Sequence, residues 1–99
     1  MKQITSESLK KWIAQEKDFC LIDIREKWER DIFNIGGLHI PMNKVLASMD
    51  EIPNDRDVVI YCEKGVRSVI LIQRLEEKGF TNLINLSGGV KGFKESVDY

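Results

Sequence analysis

The chain is poor in the residues that build metal sites and disulfide frameworks. It has two cysteines, Cys20 and Cys62, and one histidine, His39, among 99 residues. Two cysteines without an export signal do not make a disulfide framework, so both are read as free thiols. No C-x-x-C or H-x-x-x-H spacing occurs, so no metal is assigned and no cofactor is expected. Long apolar runs are missing too: nothing approaches the roughly 20 apolar residues of a membrane helix. The opening MKQITSESLKK also lacks the apolar core of a signal peptide. The expectation is a cytoplasmic protein with no membrane partner. An excess of either charge is absent as well, since 15 Lys and Arg against 16 Asp and Glu leave a formal net charge of -1. The basic residues are scattered rather than striped, which disfavours nucleic acid as a partner.

The remaining composition, 42% hydrophobic and 31% charged, is that of a chain that folds alone. Its length suits a single domain over residues 1–99, with no repeat, linker or low-complexity segment. Thr5 can cap a helix over residues 6–16, where Leu9, Trp12 and Ile13 recur at helical spacing. FCLID, residues 19–23, suits a buried strand. Trp28, Ile32 and Ile35 predict a short helix with apolar side chains toward the core, and Trp12 is expected to face it too. Gly36 and Gly37 should end that short helix. LHIP, residues 38–41, reads as a strand closed by proline. A third helix is expected from near Asn43 to Pro53, burying Leu46 and Met49.

VVIY, residues 58–61, is the most strand-like run in the chain. SVILIQRLEEKG, residues 68–79, is helical, with Lys78 in its last turn and Gly79 at its end. Its first half is apolar nearly all round, so packing on both sides is expected. NLINL, residues 82–86, gives a further strand, and Val90, Phe93 and Val97 mark a last short helix starting near Gly88. Strands alternating with helices through short connections predict an α/β fold: a mostly parallel sheet of about five strands with helices on both faces.

Cys62 stands between the strand VVIY and the following helix. In open α/β sheets this carboxyl edge is where ligand crevices form. The segment EKGVRS runs into a helix start, so backbone N–H groups without helical partners can converge on the sulfur. Gly65 supplies the permissive backbone for such a loop, and Arg67 adds a positive charge with a fork of donors. Amides and a neighbouring cation favour the thiolate, the nucleophilic form of a cysteine. The same donors suit a bound anion. A cysteine after a strand can also be just a small buried residue. Glu63 and Lys64 read as solvated loop residues with opposing effects on an anion. Cys20, within FCLID, reads as packed core, and His39 reads as structural, with nothing in the sequence to give it a partner.

The loop Cys62-Glu63-Lys64-Gly65-Val66-Arg67-Ser68 matches C-x-x-G-x-R-S, the active-site form of rhodanese domains, and from about residue 4 to residue 93 the chain resembles that sulfurtransferase family. LIDIREKWE resembles the family's D-V-R-E segment through Asp23, Arg25 and Glu26, and GFTNLINLSGGVKGF resembles its C-terminal side. NIGGLHIP departs from the frequent G-H-I-P-G-A and is similar to rhodanese domains attached to adenylyltransferases that serve ubiquitin-like sulfur carriers. Phe93 stands where the family often has tryptophan, a change expected in packing more than chemistry. The resemblance implies a thiosulfate sulfurtransferase: Cys62 takes a sulfane sulfur from a small anionic donor, becomes a persulfide, and passes the sulfur to a thiol, cyanide or a protein. It further implies that residues 63–68, Glu63, Lys64, Gly65, Val66, Arg67 and Ser68, bind the substrate. Arg67 would hold the loop or the donor, and Ser68 the helix start. Asp23 and Arg25 read as mainly structural, with contact to the site as the alternative.

Three other readings are open. The fold family includes cysteine-dependent phosphatases and arsenate reductases, but their loop has five residues between Cys and Arg, and this one has four. A sulfur carrier or non-catalytic interaction module is a second, since a fold by itself fixes no activity. A redox sensor acting through Cys62 is a third.

Overall fold

The alternation read from the sequence is realised as a parallel α/β fold. The computed structural model describes residues 1–96. Its strands are β1 (Lys2–Ile4), β2 (Phe19–Asp23), β3 (Leu38–His39), β4 (Asp57–Tyr61) and β5 (Leu83–Leu86). They lie in the order β1-β5-β4-β2-β3, and every pairing is parallel. The helices are α1 (Ser6–Ala14), α2 (Lys27–Ile32), α3 (Met42–Val45), α4 (Val66–Glu77) and α5 (Gly89–Glu95), with a 3-10 turn at Met49–Glu51.

The central strand β4 shows why helices cover both faces. Side chains alternate along a strand, so Val58, Ile60 and then Cys62 join Leu71, Ile72 and Leu75 of α4 on one side. Val59 and Tyr61 join Leu9 of α1 and Val90 of α5 on the other. Each fully buried Leu or Ile contributes roughly 1.5–3 kcal/mol, so two apolar layers hold this strand. Thr5 caps α1 as expected, its hydroxyl accepting from the Ser8 N–H at 3.1 Å. Trp12 is half-buried and meets the Phe19 ring edge-on at 5.4 Å.

Several expectations are corrected. Trp28 and Ile32 do not face the core: they are 65% and 75% exposed. Helix α2 ends at Ile32, well before Gly36, and turns Glu29 inward, so its packing against the molecule is polar. Phe33 and Ile35, just past the helix, supply the apolar contact instead. The helix expected over 43–53 is split, because Ala47 and Ser48 donate to carbonyls three residues back, at Lys44 and Val45. Val45 is buried in place of Leu46, which is exposed. Helix α4 starts two residues earlier than expected and is not packed all round. Leu71, Ile72 and Leu75 are buried while Val66 and Ile70 face solvent. Strand β1 was not expected. It adds to the sheet beside β5, with Ile4 alone of its three residues buried. Val97, assigned to the last helix, lies outside the described residues.

Candidate functional site

Strands β2 and β4 end level, with Asp23 paired to Tyr61, and Cys62 follows directly. Its loop turns at Gly65, which has φ 90° and precedes the first helical residue of α4. That left-handed backbone favours glycine. An added Cβ would also press on the Leu86 carbonyl and the Gly88 nitrogen at 3.2 and 3.3 Å. Behind the loop, the start of α5 holds its backbone: Val90 N–H donates to the Cys62 carbonyl and Lys91 N–H to the Glu63 carbonyl, both at 2.9 Å. The approach is close enough that a Cβ on Gly89 would lie 2.3 Å from the Glu63 oxygen. Two helix starts therefore pin the loop from opposite ends of its sequence.

The Cys62 sulfur is 1% exposed as part of its residue and sits among polar groups. Gly65 N–H donates to Sγ at 3.1 Å and Ser68 N–H at 3.4 Å. Both amides belong to the start of α4, where backbone donors lack helical partners. Ser68 Oγ lies 3.3 Å from the sulfur and donates its hydrogen to Asn85 Oδ1. Asn85 is held in turn, its Nδ2 donating to Gln3 Oε1 at 2.8 Å, and Ser87 Oγ donates to the same oxygen at 2.9 Å. A hydroxyl has one hydrogen. With that hydrogen given to Asn85, Ser68 faces the sulfur with a lone pair, so its oxygen positions the thiol while the two amides stabilise negative charge on the sulfur. The sequence placed Ser68 at the helix start and among the substrate-binding loop residues, and gave no role to Asn85 or Gln3.

The charged residues around the loop are paired with one another. Arg67 is turned to Glu29 of α2, donating from Nη1 and Nη2 to the two carboxylate oxygens at 3.0 and 2.8 Å. This pair holds the Glu29 carboxyl below its ordinary range and raises the Arg67 guanidinium. Arg25 is 1% exposed. It donates to both oxygens of Asp23 at 3.0 Å, to Glu63 Oε1 at 3.1 Å and to the Phe33 carbonyl at 2.6 Å. Burial opposes ionisation of Asp23, yet the bonds from Arg25 outweigh it and leave the carboxyl below its usual range. Burial, with the Asp23 charge nearby, pushes the Tyr61 hydroxyl up to about 12. It stays protonated and donates to the Gly36 carbonyl at 3.0 Å. His39, read as partnerless, has a partner: its Nε2 lies 2.7 Å from the Arg25 carbonyl, which can only accept, so that nitrogen carries the hydrogen.

Cys62, Glu63, Lys64, Val66 and Arg67 thus line one cavity of about 270 Å³, together with Glu29. Gly65 and Ser68 bind the sulfur, while Asp23 and Arg25 brace Glu63 beside it. A second cavity of about 550 Å³ shares Glu29 and Glu63 with the first and adds Trp28, Ile32 and Phe33 as apolar walls. Among the described residues, no three His, Cys, Asp or Glu side chains are grouped to hold a metal, and no helix is long and apolar enough to cross a membrane.

Residues 5–96 match the family model for the rhodanese-like domain. The chain belongs to the rhodanese-like domain family. A sulfurtransferase of Allochromatium vinosum is 41% identical over 91% of this chain and 85% of its own. The probable adenylyltransferase/sulfurtransferase MoeZ of Mycobacterium tuberculosis is 32% identical over 95% of this chain but only 25% of its own, so this chain spans about a quarter of that relative. Among solved structures, a rhodanese-like domain protein from Staphylococcus aureus superimposes with a TM-score of 0.85 at 26% identity, covering 94% of this chain and 91% of that one. Relatives of these names support a sulfurtransferase or sulfur-carrier role for a rhodanese-like domain of this kind.

Proposed function

We propose that this chain, read as one rhodanese-like domain over residues 1–99, transfers sulfane sulfur through a persulfide on Cys62. The observation that carries the reading is the Cys62 sulfur held by the Gly65 and Ser68 amides at the start of α4, at the wall of a small cavity. With thiosulfate as donor, the thiolate attacks the outer sulfur, the bond to the sulfonate sulfur breaks, and sulfite leaves with the electron pair. Cys62 then carries an outer sulfur whose negative charge the two amides can solvate. An acceptor thiolate or cyanide takes that sulfur and restores the thiolate, so no net oxidant is needed. The larger cavity beside the site, walled by exposed Trp28 and Ile32, favours a protein acceptor over a free small thiol.

The test is an intact-mass spectrum after incubation with thiosulfate, wild type beside Cys62→Ser, followed by cyanide. One added sulfur on the wild type alone, removed by cyanide, is expected. Sulfur on both proteins contradicts a relay through Cys62, and sulfur on neither removes thiosulfate as the donor. Hydrolysis of a phosphate ester without sulfur uptake would put the phosphatase reading in its place.

A further inference from the structure

Glu29 belongs to α2, outside the Cys62 loop, yet it borders the sulfur's cavity and binds the loop arginine with both oxygens. Its side chain is 10% exposed, and Oε1 also accepts from the Glu26 N–H at 3.0 Å in the capping box that opens α2. The carboxylate is therefore fixed from two sides, while Arg67 is 38% exposed and free to exchange partners. The cavity holds Glu29 and Glu63 against Lys64 and Arg67, so its formal charges cancel. Arg25 lies behind this cavity, matched by Asp23, which binds it through both oxygens and also accepts from Arg30 at 3.2 Å.

We infer that Glu29 sets the charge class of the sulfur donor: by occupying Arg67 it disfavours doubly charged donors and leaves singly charged ones, thiosulfonates or organic persulfides, as the better substrates. The inference rests on the sulfur-transfer reading above and narrows it. A dianion entering the cavity must displace Glu29 from the planar fork of Arg67, where bidentate bonding is strong. A monoanion needs no such exchange, since Lys64, which has no carboxylate partner among the described residues, can balance it. Glu29 acts here as a positioning residue, through Arg67, and touches neither the sulfur nor the transferring bond.

Two donors isolate charge from chemistry. Thiosulfate and methanethiosulfonate deliver the same sulfane sulfur to the Cys62 thiolate. In each case the bond to the oxidised sulfur breaks, and sulfite or methanesulfinate leaves with the electron pair. Cyanide then removes the outer sulfur as thiocyanate. Glu29→Gln keeps the shape of the side chain and the capping box, which accepts Gln as well as Glu, but removes the charge. The variant is expected to lower KM for thiosulfate roughly five- to tenfold with kcat within about twofold, the weight of one screened charge interaction. KM for methanethiosulfonate should stay within about twofold, which also controls for folding. Adding Arg67→Met to Glu29→Gln should abolish the gain for thiosulfate. Equal changes for both donors, or none for either, overturn the role of Glu29 while leaving sulfur transfer standing. If the wild type turns over neither donor, the sulfur-transfer reading falls and this inference with it.

Discussion

Cys20 and Cys62 lie on the same side of one sheet, and they differ in everything that matters for reactivity. Cys20, within β2, is half-buried and packs against the apolar layer under α4. Burial pushes its thiol up, with Arg56 acting weakly the other way. Among the described residues no hydrogen-bond donor reaches its sulfur. Cys62 is the less accessible of the two, yet two amides and a hydroxyl oxygen surround its sulfur. The difference teaches that polar groups converge on a sulfur where a strand end meets a helix start, and that they do so at the less exposed of the two thiols.

The sharpest way to break this comparison is to exchange the two thiols for hydroxyls. Cys62→Ser is expected to lower cyanide-dependent turnover of a thiosulfonate by roughly a thousandfold or more, while Cys20→Ser stays near the wild type. Comparable losses in both variants would mean that the local donors do not decide which thiol reacts.

The next largest effect concerns the support beneath the loop. Arg25→Met removes both side-chain hydrogen bonds of Arg25 from the buried Asp23 and leaves it only Arg30 as a cation, 3.2 Å from Oδ2, a change that costs about 3 kcal/mol, the low end for breaking a buried pair, and should be read as a lower urea midpoint. In the wild type, the Asp23 carboxyl is lowered in the folded state, so the unfolded chain binds its proton more readily. That contribution is complete above the unfolded value of about 3.9 and is lost as pH falls through the lower folded value. Urea midpoints of the wild type should drop below about pH 4, and Arg25→Met should lose part of that slope.

Smaller effects separate positioning from charge. Ser68→Ala removes the oxygen beside the sulfur and leaves Asn85 Oδ1 without its donor, which costs about 1–3 kcal/mol in a thermal or urea melt. Sulfur transfer should slow by about tenfold because the thiol is less well placed. An unchanged rate would show that the Gly65 and Ser68 amides position it alone. At the small end, Trp28→Ala should change stability by no more than ~0.5 kcal/mol, because the ring lies on the surface. A loss several times larger would restore the core position that the helical spacing suggested.

What the sequence revealed follows the range of the interactions. The stretch from β4 through Cys62 to α4 was legible because strand, loop and helix start are consecutive, and the residues that bind the sulfur lie within six positions of it. Glu29 and Asn85 were not, because they reach the loop across 38 and 17 residues, and nothing local in EKWER or NLINL marks them. Trp28 and Ile32 misled because apolar residues four apart usually mark a buried stripe, whereas α2 uses a charged residue to face the loop. Strand β1 escaped notice because two of its three residues are exposed and polar. The arginine of the motif is visible in the sequence, but its partner Glu29, and hence its direction, could be seen only in three dimensions.

The central claim is that the carboxyl edge of β4, and not the thiol content of the chain, creates the sulfur-carrying residue. It is tested most directly by loading the wild type with thiosulfate or methanethiosulfonate and locating the added sulfur by fragmentation of the intact protein in a mass spectrometer. The account predicts one added sulfur per chain, on Cys62, released by cyanide, with Cys20 unmodified. Sulfur found on Cys20, or a chain that takes up none while Cys62 remains a free thiol, would contradict it.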